Sequence, residues 1–297
     1  MLKKIVVAAV VISGSQSFAD PKFEFGKAEE VEKVKTVEYN ASAEAGIVFT
    51  TGNSETTTAT AGVKAARKKN DNKLAFDGSL TYAKAGIRAL NDTNGNGTID
   101  NDSEITTVKQ VTAESYAAKL RYDRFLTKHN SLFLAGLVSR NVPAGKELVL
   151  GAQVGYSRQL YKTEKAEAVG EIGFDYSNED MTVGESLKIF SLRGFVGYKA
   201  EMTEGTNFET SAEVLSNLNE ENLPNKADGS IGQDTRVTFK ASVSSKVTKN
   251  LSFQTSLEAK YDHRPGPLAL ENLAMGFTPE ASRFDTTMKA SFIYTIF

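Results

Sequence analysis

Residues 37–49 read Val37-Glu38-Tyr39-Asn40-Ala41-Ser42-Ala43-Glu44-Ala45-Gly46-Ile47-Val48-Phe49, and their apolar and polar side chains alternate. Val37, Tyr39, Ala41, Ala43, Ala45, Ile47 and Phe49 share one parity, while Glu38, Asn40, Ser42 and Glu44 take the other. Period two marks a β-strand with one greasy and one wet face. The pattern continues through Ala59, Ala61, Val63 and Ala65, then Leu74, Phe76, Leu80 and Tyr82. Further runs fall near 116–122, 132–138, 148–156, 166–176, 190–198, 208–214, 235–243, 251–261 and 284–296, which predicts about twelve strands. The stretch 132–138 is apolar on both parities, so its facing stays open.

The links between these runs sort into two classes. Those near 68–73, 123–131, 160–165, 201–206 and 246–250 are brief and polar; those near 84–106, 141–147, 177–187, 216–233 and 262–282 are mostly longer. The first long-side link departs from this as a tight turn at Thr51-Gly52-Asn53. A soluble sandwich also alternates along its strands, but nothing in it requires every second connection to be long. In a bilayer every backbone group must be paired, so a sheet spans it only as a closed barrel, with short periplasmic turns and longer outer loops. The expected fold is therefore all-β, an antiparallel transmembrane β-barrel of about twelve strands over residues 37–297, with both termini on the periplasmic side. Its greasy face would meet outer-membrane lipids. Aromatic residues gather toward strand ends, at Tyr39 and Phe49, Tyr116 and Tyr122, Phe174 and Tyr176, and Phe190 and Tyr198, as interfacial girdles require.

The N-terminus reads as a secretory signal peptide over residues 1–19. Lys3 and Lys4 supply its charge, Ile5 to Ile12 its apolar core, and Ser17-Phe18-Ala19 a cleavage site. That core is far shorter than the roughly 20 residues of a membrane helix. Residues 20–36, dense in Lys and Glu, read as a short periplasmic segment. Export places the barrel in the outer membrane of a Gram-negative bacterium. The net charge is −2, and −4 once Lys3 and Lys4 are removed, so no basic surface offers itself to nucleic acid. The absence of cysteine excludes disulfides and thiolate metal sites.

The stretch Ala45-Gly46-Ile47-Val48-Phe49-Thr50-Thr51-Gly52-Asn53-Ser54-Glu55-Thr56-Thr57-Thr58 resembles a motif of the salt-induced outer-membrane β-barrel proteins, a family of unknown function. Gly-Asn suits the hairpin, because both residues tolerate the positive φ of a tight turn. The resemblance implies a barrel in the outer membrane and a link to salt or osmotic stress, and it implies no activity. The terminal aromatic Phe297, with Ile293, looks like the signal read by the barrel-assembly machinery during biogenesis. The apolar stripe of that last run, at Met288, Ala290, Phe292, Tyr294 and Ile296, is one residue out of step with Phe297.

The inward parity carries charge of both signs. Glu167, Glu171 and Asp175 share one strand and the next offers Arg193 and Lys199; Glu209 and Glu213 precede Arg236 and Lys240. Lys119 with Arg121, Glu258 with Lys260 and Asp285 with Lys289 add more. Two readings follow. Either a wet lumen lined by Glu167, Glu171, Asp175, Arg193, Lys199, Glu213, Arg236 and Lys240 passes small polar solutes or ions, or acid–base pairs close a narrow barrel. The second reading gives a structural or surface-interaction barrel working through its outer loops.

One such loop has calcium-site chemistry. Asp92, Asn94, Asn96, Thr98 and Asp100 recur around Gly97 as in the first nine positions of an EF-hand loop, and Glu104 stands one place beyond the usual final carboxylate. Asp/Asn-Gly repeats are also ordinary turn chemistry. The expected cofactor is Ca²⁺ bound weakly in this loop. No enzyme is expected. His129-Asn130-Ser131 has the His-x-Ser spacing of lipid-hydrolysing barrels but sits at a short turn, and Pro265 occupies the matching position after His263.

Overall fold

The computed structural model describes residues 37–50, 56–90, 105–221, 230–266 and 282–296. The signal peptide, the 20–36 segment, the Thr51-Gly52-Asn53 turn, the calcium-like loop and Phe297 lie outside the described residues.

The described residues form twelve strands: β1 Glu38–Thr50, β2 Thr56–Lys69, β3 Asn72–Leu90, β4 Ile105–Phe125, β5 Asn130–Asn141, β6 Lys146–Lys162, β7 Ala166–Met181, β8 Leu187–Thr203, β9 Thr206–Asn217, β10 Thr235–Lys246, β11 Leu251–Asp262 and β12 Phe284–Thr295. Each pairs antiparallel with its sequence neighbours, and β12 returns to β1, closing the barrel. Closure pairs the first strand with the last over Ser42–Ala45, as a barrel that sits in hydrocarbon needs.

The short connections form because local chemistry permits a sharp reversal. Between β2 and β3 the turn places Asn70 at φ 51°, a left-handed conformation that Asn tolerates. Between β8 and β9 the corresponding position is Gly205 at φ 79°. The link near 141–147, expected among the longer ones, is compact: a single 3-10 turn at Val142–Ala144, capped by the Asn141 side chain and ended by Gly145 at φ 77°. Several strands also outrun their apolar alternation. β7 continues to Met181 and β4 begins at Ile105, because ladder pairing extends past the greasy band into the polar ends.

Polarity is inverted relative to a soluble protein. Arg193 and Lys119 are 1% exposed, whereas Leu134 and Phe174 are 58% and 59% exposed. A soluble domain would not leave so many large apolar side chains outside, and this is the distribution of a lipid-facing barrel. The ambiguous stretch in β5 resolves cleanly: Phe133 and Ala135 point inward and Leu132 and Leu134 outward. On the outside, Tyr176 and Phe190 meet across the β7–β8 ladder with ring centroids 4.7 Å apart.

Candidate functional site: the barrel lumen

Strand β7 is the spine of the lumen. Its inward positions carry Glu167, Glu171, Asp175 and Glu179 at intervals of four residues, and all four are buried. Four residues is two strand repeats, so every second inward position is acidic. A buried carboxylate is tolerated only where donors surround it, and each rung is met differently.

Glu171 is held by two arginines from different strands. Its Oε1 accepts from Arg121 Nη2 at 2.7 Å; its Oε2 accepts from Arg121 Nη1 at 3.1 Å and Arg193 Nη1 at 2.8 Å. Arg121 turns its other edge to Asp123, with Nη2 2.7 Å from Oδ1. Arg193 Nε donates to Glu213 on β9. Arg121 lies on β4, which is not a neighbour of β7, so this pair spans a chord of the lumen rather than a ladder.

The two guanidiniums rest on an aromatic floor. Arg121 Cζ stands 4.2 Å from the Phe133 ring centroid and Arg193 Cζ 5.4 Å, distances at which a ring face attracts a cation. Phe133 faces Gly155 in the β5–β6 register, and Gly155 faces Gly173 in the β6–β7 register. A Cβ on Gly155 would lie 2.7 Å from Phe133 Cζ, and one on Gly173 would lie 2.3 Å from the Val154 carbonyl oxygen. Both positions require glycine because of this close approach.

Above and below this cluster the rungs change partner. Asp175 accepts from Gln153 Nε2 at 2.7 Å, and Gln153 in turn accepts from Lys119 Nζ at 2.6 Å. Glu179, toward the long connections, takes Lys146 at 2.9 Å and Arg236. Arg236 also binds Asp234 at 2.8 Å. Toward the short turns, Glu167 accepts from Gln159 Nε2 at 3.2 Å, and His129 Nδ1 meets Gln159 Oε1 at 2.9 Å. Ser131 points into the lumen and is buried, so His129 and Ser131 do not stand together on the outer face. His263 Nδ1 instead meets Tyr261 Oη at 2.9 Å.

All eight residues singled out as lumen-lining lie on the inner face, but their partners are not simply the next strand's charges. Lys199 pairs with Glu209 at 2.7 Å, and both are about one-third exposed. Lys240 faces Glu258 at 3.8 Å. Asp123, Gln153, Gln159, Phe133 and Glu179 escaped the sequence reading. Glu179 continues the four-residue series of Glu167, Glu171 and Asp175, so extending β7 by one turn of the pattern would have found it.

The lumen holds two cavities of about 230 Å³ each. One opens toward the long connections and is lined by Lys146, Glu179, Glu213, Arg236, Lys260 and Asp285. The other lies against β1, β2 and β10–β12, with Ser42, Glu44, Lys64, Lys240, Ser256 and Lys289 in its wall. Both far exceed the ~10–15 Å³ that one water requires, and their linings offer it partners.

The family model described as protein of unknown function, DUF481, matches residues 43–296. No curated protein matches the chain. Among solved structures, the chain is similar to the NanC porin, with 8% identity and a TM-score of 0.45 over 87% of this chain and 100% of that one. It is similar to the translocator domain of autotransporter NalP from Neisseria meningitidis, with 12% identity and a TM-score of 0.42 over 91% and 92% of the two chains. An anion-selective porin from Comamonas acidovorans gives 9% identity and a TM-score of 0.38 over 88% and 99%. None of these likenesses bears on solute or selectivity.

Proposed function

Because the chain belongs to the family described as protein of unknown function, DUF481, a description that carries no activity, we propose its function from the lumen itself: a narrow passive channel of the outer membrane for small polar solutes or ions. The observation that carries this reading is the pair of cavities inside a barrel whose outside is apolar. Their walls hold hydroxyls and paired charges, which favour water over hydrocarbon. The Glu171 cluster takes up part of the lumen, so unitary conductance should be small. Charges of both signs line the route, so selectivity between cations and anions should be weak.

The short turns face the periplasm in this reading, and outer-membrane lipids surround the apolar face. Insertion by the barrel-assembly machinery after signal-peptide removal belongs to the same proposal. The resemblance of residues 45–58 adds that expression responds to external salt, which transcript levels at low and high NaCl would test.

A second reading is favoured by one specific feature. Arg121, Glu171 and Arg193 are almost fully buried and tie β4 to β7 and β8, which favours a closed barrel with its outer loops as the working part and Ca²⁺ at residues 92–104 stiffening one of them. Planar-bilayer recording of the refolded mature protein separates the two. Reproducible unitary steps support the channel; silent bilayers containing verified folded protein overturn it.

A further inference from the structure

The barrel is closed by an unusually short seam. β1 pairs with β12 at Ser42↔Thr295, Ala43↔Tyr294, Glu44↔Ile293 and Ala45↔Phe292. The Ile296 amide adds a bond to the Ala41 carbonyl at 2.9 Å. On their other sides the same strands are laddered almost throughout: β1 pairs with β2 from Glu38 to Thr50, and β12 with β11 from Phe284 to Tyr294. Among the described residues, no ladder pair joins Gly46–Thr50 to Phe284–Ser291.

On each strand of an antiparallel edge, alternate residues aim N–H and C=O at the missing partner. In hydrocarbon such groups cost several kcal/mol each when unpaired. The two strands nevertheless remain close beyond the last pair, since a Cβ on Gly46 would lie 3.3 Å from the Ala290 carbonyl oxygen and 4.0 Å from Ser291 Cβ. Beyond Ala45↔Phe292 the seam is therefore shut by proximity and not by a ladder.

Behind it lies a chamber whose wall carries charges and hydroxyls. The cavity against β1 and β12 is walled by Ser42 and Glu44 on one side of the seam and Thr287, Lys289 and Thr295 on the other. Lys289 Nζ reaches Glu44 Oε1 at 2.5 Å, an ion pair joining the two strands at the top of their four-pair ladder. A chamber of mixed charge and hydroxyls suits a neutral or zwitterionic head group, and an opening toward lipid suits a chain that stays in lipid.

The geometry points to a lateral opening between β1 and β12, latched by Glu44–Lys289, through which an amphiphile with a neutral or zwitterionic head and an acyl chain passes between the chamber and the bilayer. This rests on the proposed membrane insertion but not on axial conduction.

Two single-cysteine variants test it, in a chain that has no cysteine of its own. Thr287→Cys places a thiol beside the seam; Ser244→Cys places one in the same chamber, on β10. Folded protein in vesicles is exposed to a maleimide on an acyl chain dissolved in the bilayer, and separately to a water-soluble maleimide that reports general reactivity. The lipid reagent, normalised to the aqueous one, should label Thr287→Cys at least about tenfold faster. Adding Glu44→Gln should raise that rate severalfold. A Gly46→Cys/Ser291→Cys background, carrying Thr60→Ala to clear the hydroxyl that would lie 2.8 Å from the new Cβ, bridges the seam at a Cβ separation of 4.0 Å, within the usual ~3.5–4.5 Å disulfide range. Oxidising it should abolish lipid labelling and reduction restore it. Equal normalised labelling of the two thiols, or labelling indifferent to the bridge, overturns the proposal. A silent planar bilayer would leave this readout intact, so failure of the channel reading and failure of the lateral opening are told apart.

Discussion

Glu171→Gln is the sharpest test of how dry the centre of the lumen is. The substitution keeps the shape of the side chain but removes its charge and turns one acceptor oxygen into a donor. That donor would face Arg121 Nη2 at 2.7 Å or the Arg121 and Arg193 amines at 3.1 and 2.8 Å. Arg121 keeps Asp123 and Arg193 keeps Glu213, so each guanidinium retains one carboxylate, but both lose the one they share and one meets a donor in its place, among side chains that are 0–3% exposed. Leaving buried donors without their acceptor costs about 1–3 kcal/mol, or roughly one to two decades in the unfolding equilibrium. Lys199→Gln is the control, because the Lys199–Glu209 pair is 31% and 36% exposed and exposed pairs contribute at most about 1 kcal/mol. Urea unfolding in lipid vesicles, followed by far-UV circular dichroism since the chain has no tryptophan, measures both. If Glu171→Gln costs no more than Lys199→Gln, the cluster is screened by water and the argument for a buried constriction fails.

Three further outcomes are expected. Gly173→Ala should destabilise the barrel by about 1–3 kcal/mol, since the new methyl would meet backbone that cannot move aside; an unchanged urea midpoint would contradict the close approach. Phe133→Ala should cost about 3–5 kcal/mol and, by removing the ring beneath Arg121 and Arg193, enlarge the unitary conductance step; smaller steps would mean the ring does not hold the constriction in place. Calorimetric titration with Ca²⁺ should show binding near millimolar concentration that Asp92→Asn removes, whereas no heat in the parent protein would end the proposal for loop 92–104.

Much of the fold was legible along the chain. Period-two alternation reports directly which side chains share a face, so the twelve strands and their polarity are visible without any knowledge of partners. Strand ends were less legible, because ladder hydrogen bonds continue into polar sequence where the alternation fades, as at Ser177-Asn178-Glu179-Asp180 in β7. Phe133 was hidden for a related reason: with Leu132, Phe133 and Leu134 all apolar, parity gives no vote, and the pairing of β5 with its neighbours decides.

The sequence by itself determined that a sheet with one greasy face would form, that charges of both signs would point the other way, and that Glu171, Arg193 and Arg236 would be among them. Only closure decided which charges meet. Arg121 reaches Glu171 from β4, and Arg236 reaches Glu179 from β10, both across strands that are not neighbours. The same holds for the seam, where Glu44 and Lys289 lie at opposite ends of the chain and come together because the last strand returns to the first. Alternation is a local property of the backbone, fixed residue by residue; the distance across a lumen depends on strand number, tilt and register together, and no stretch of sequence contains it.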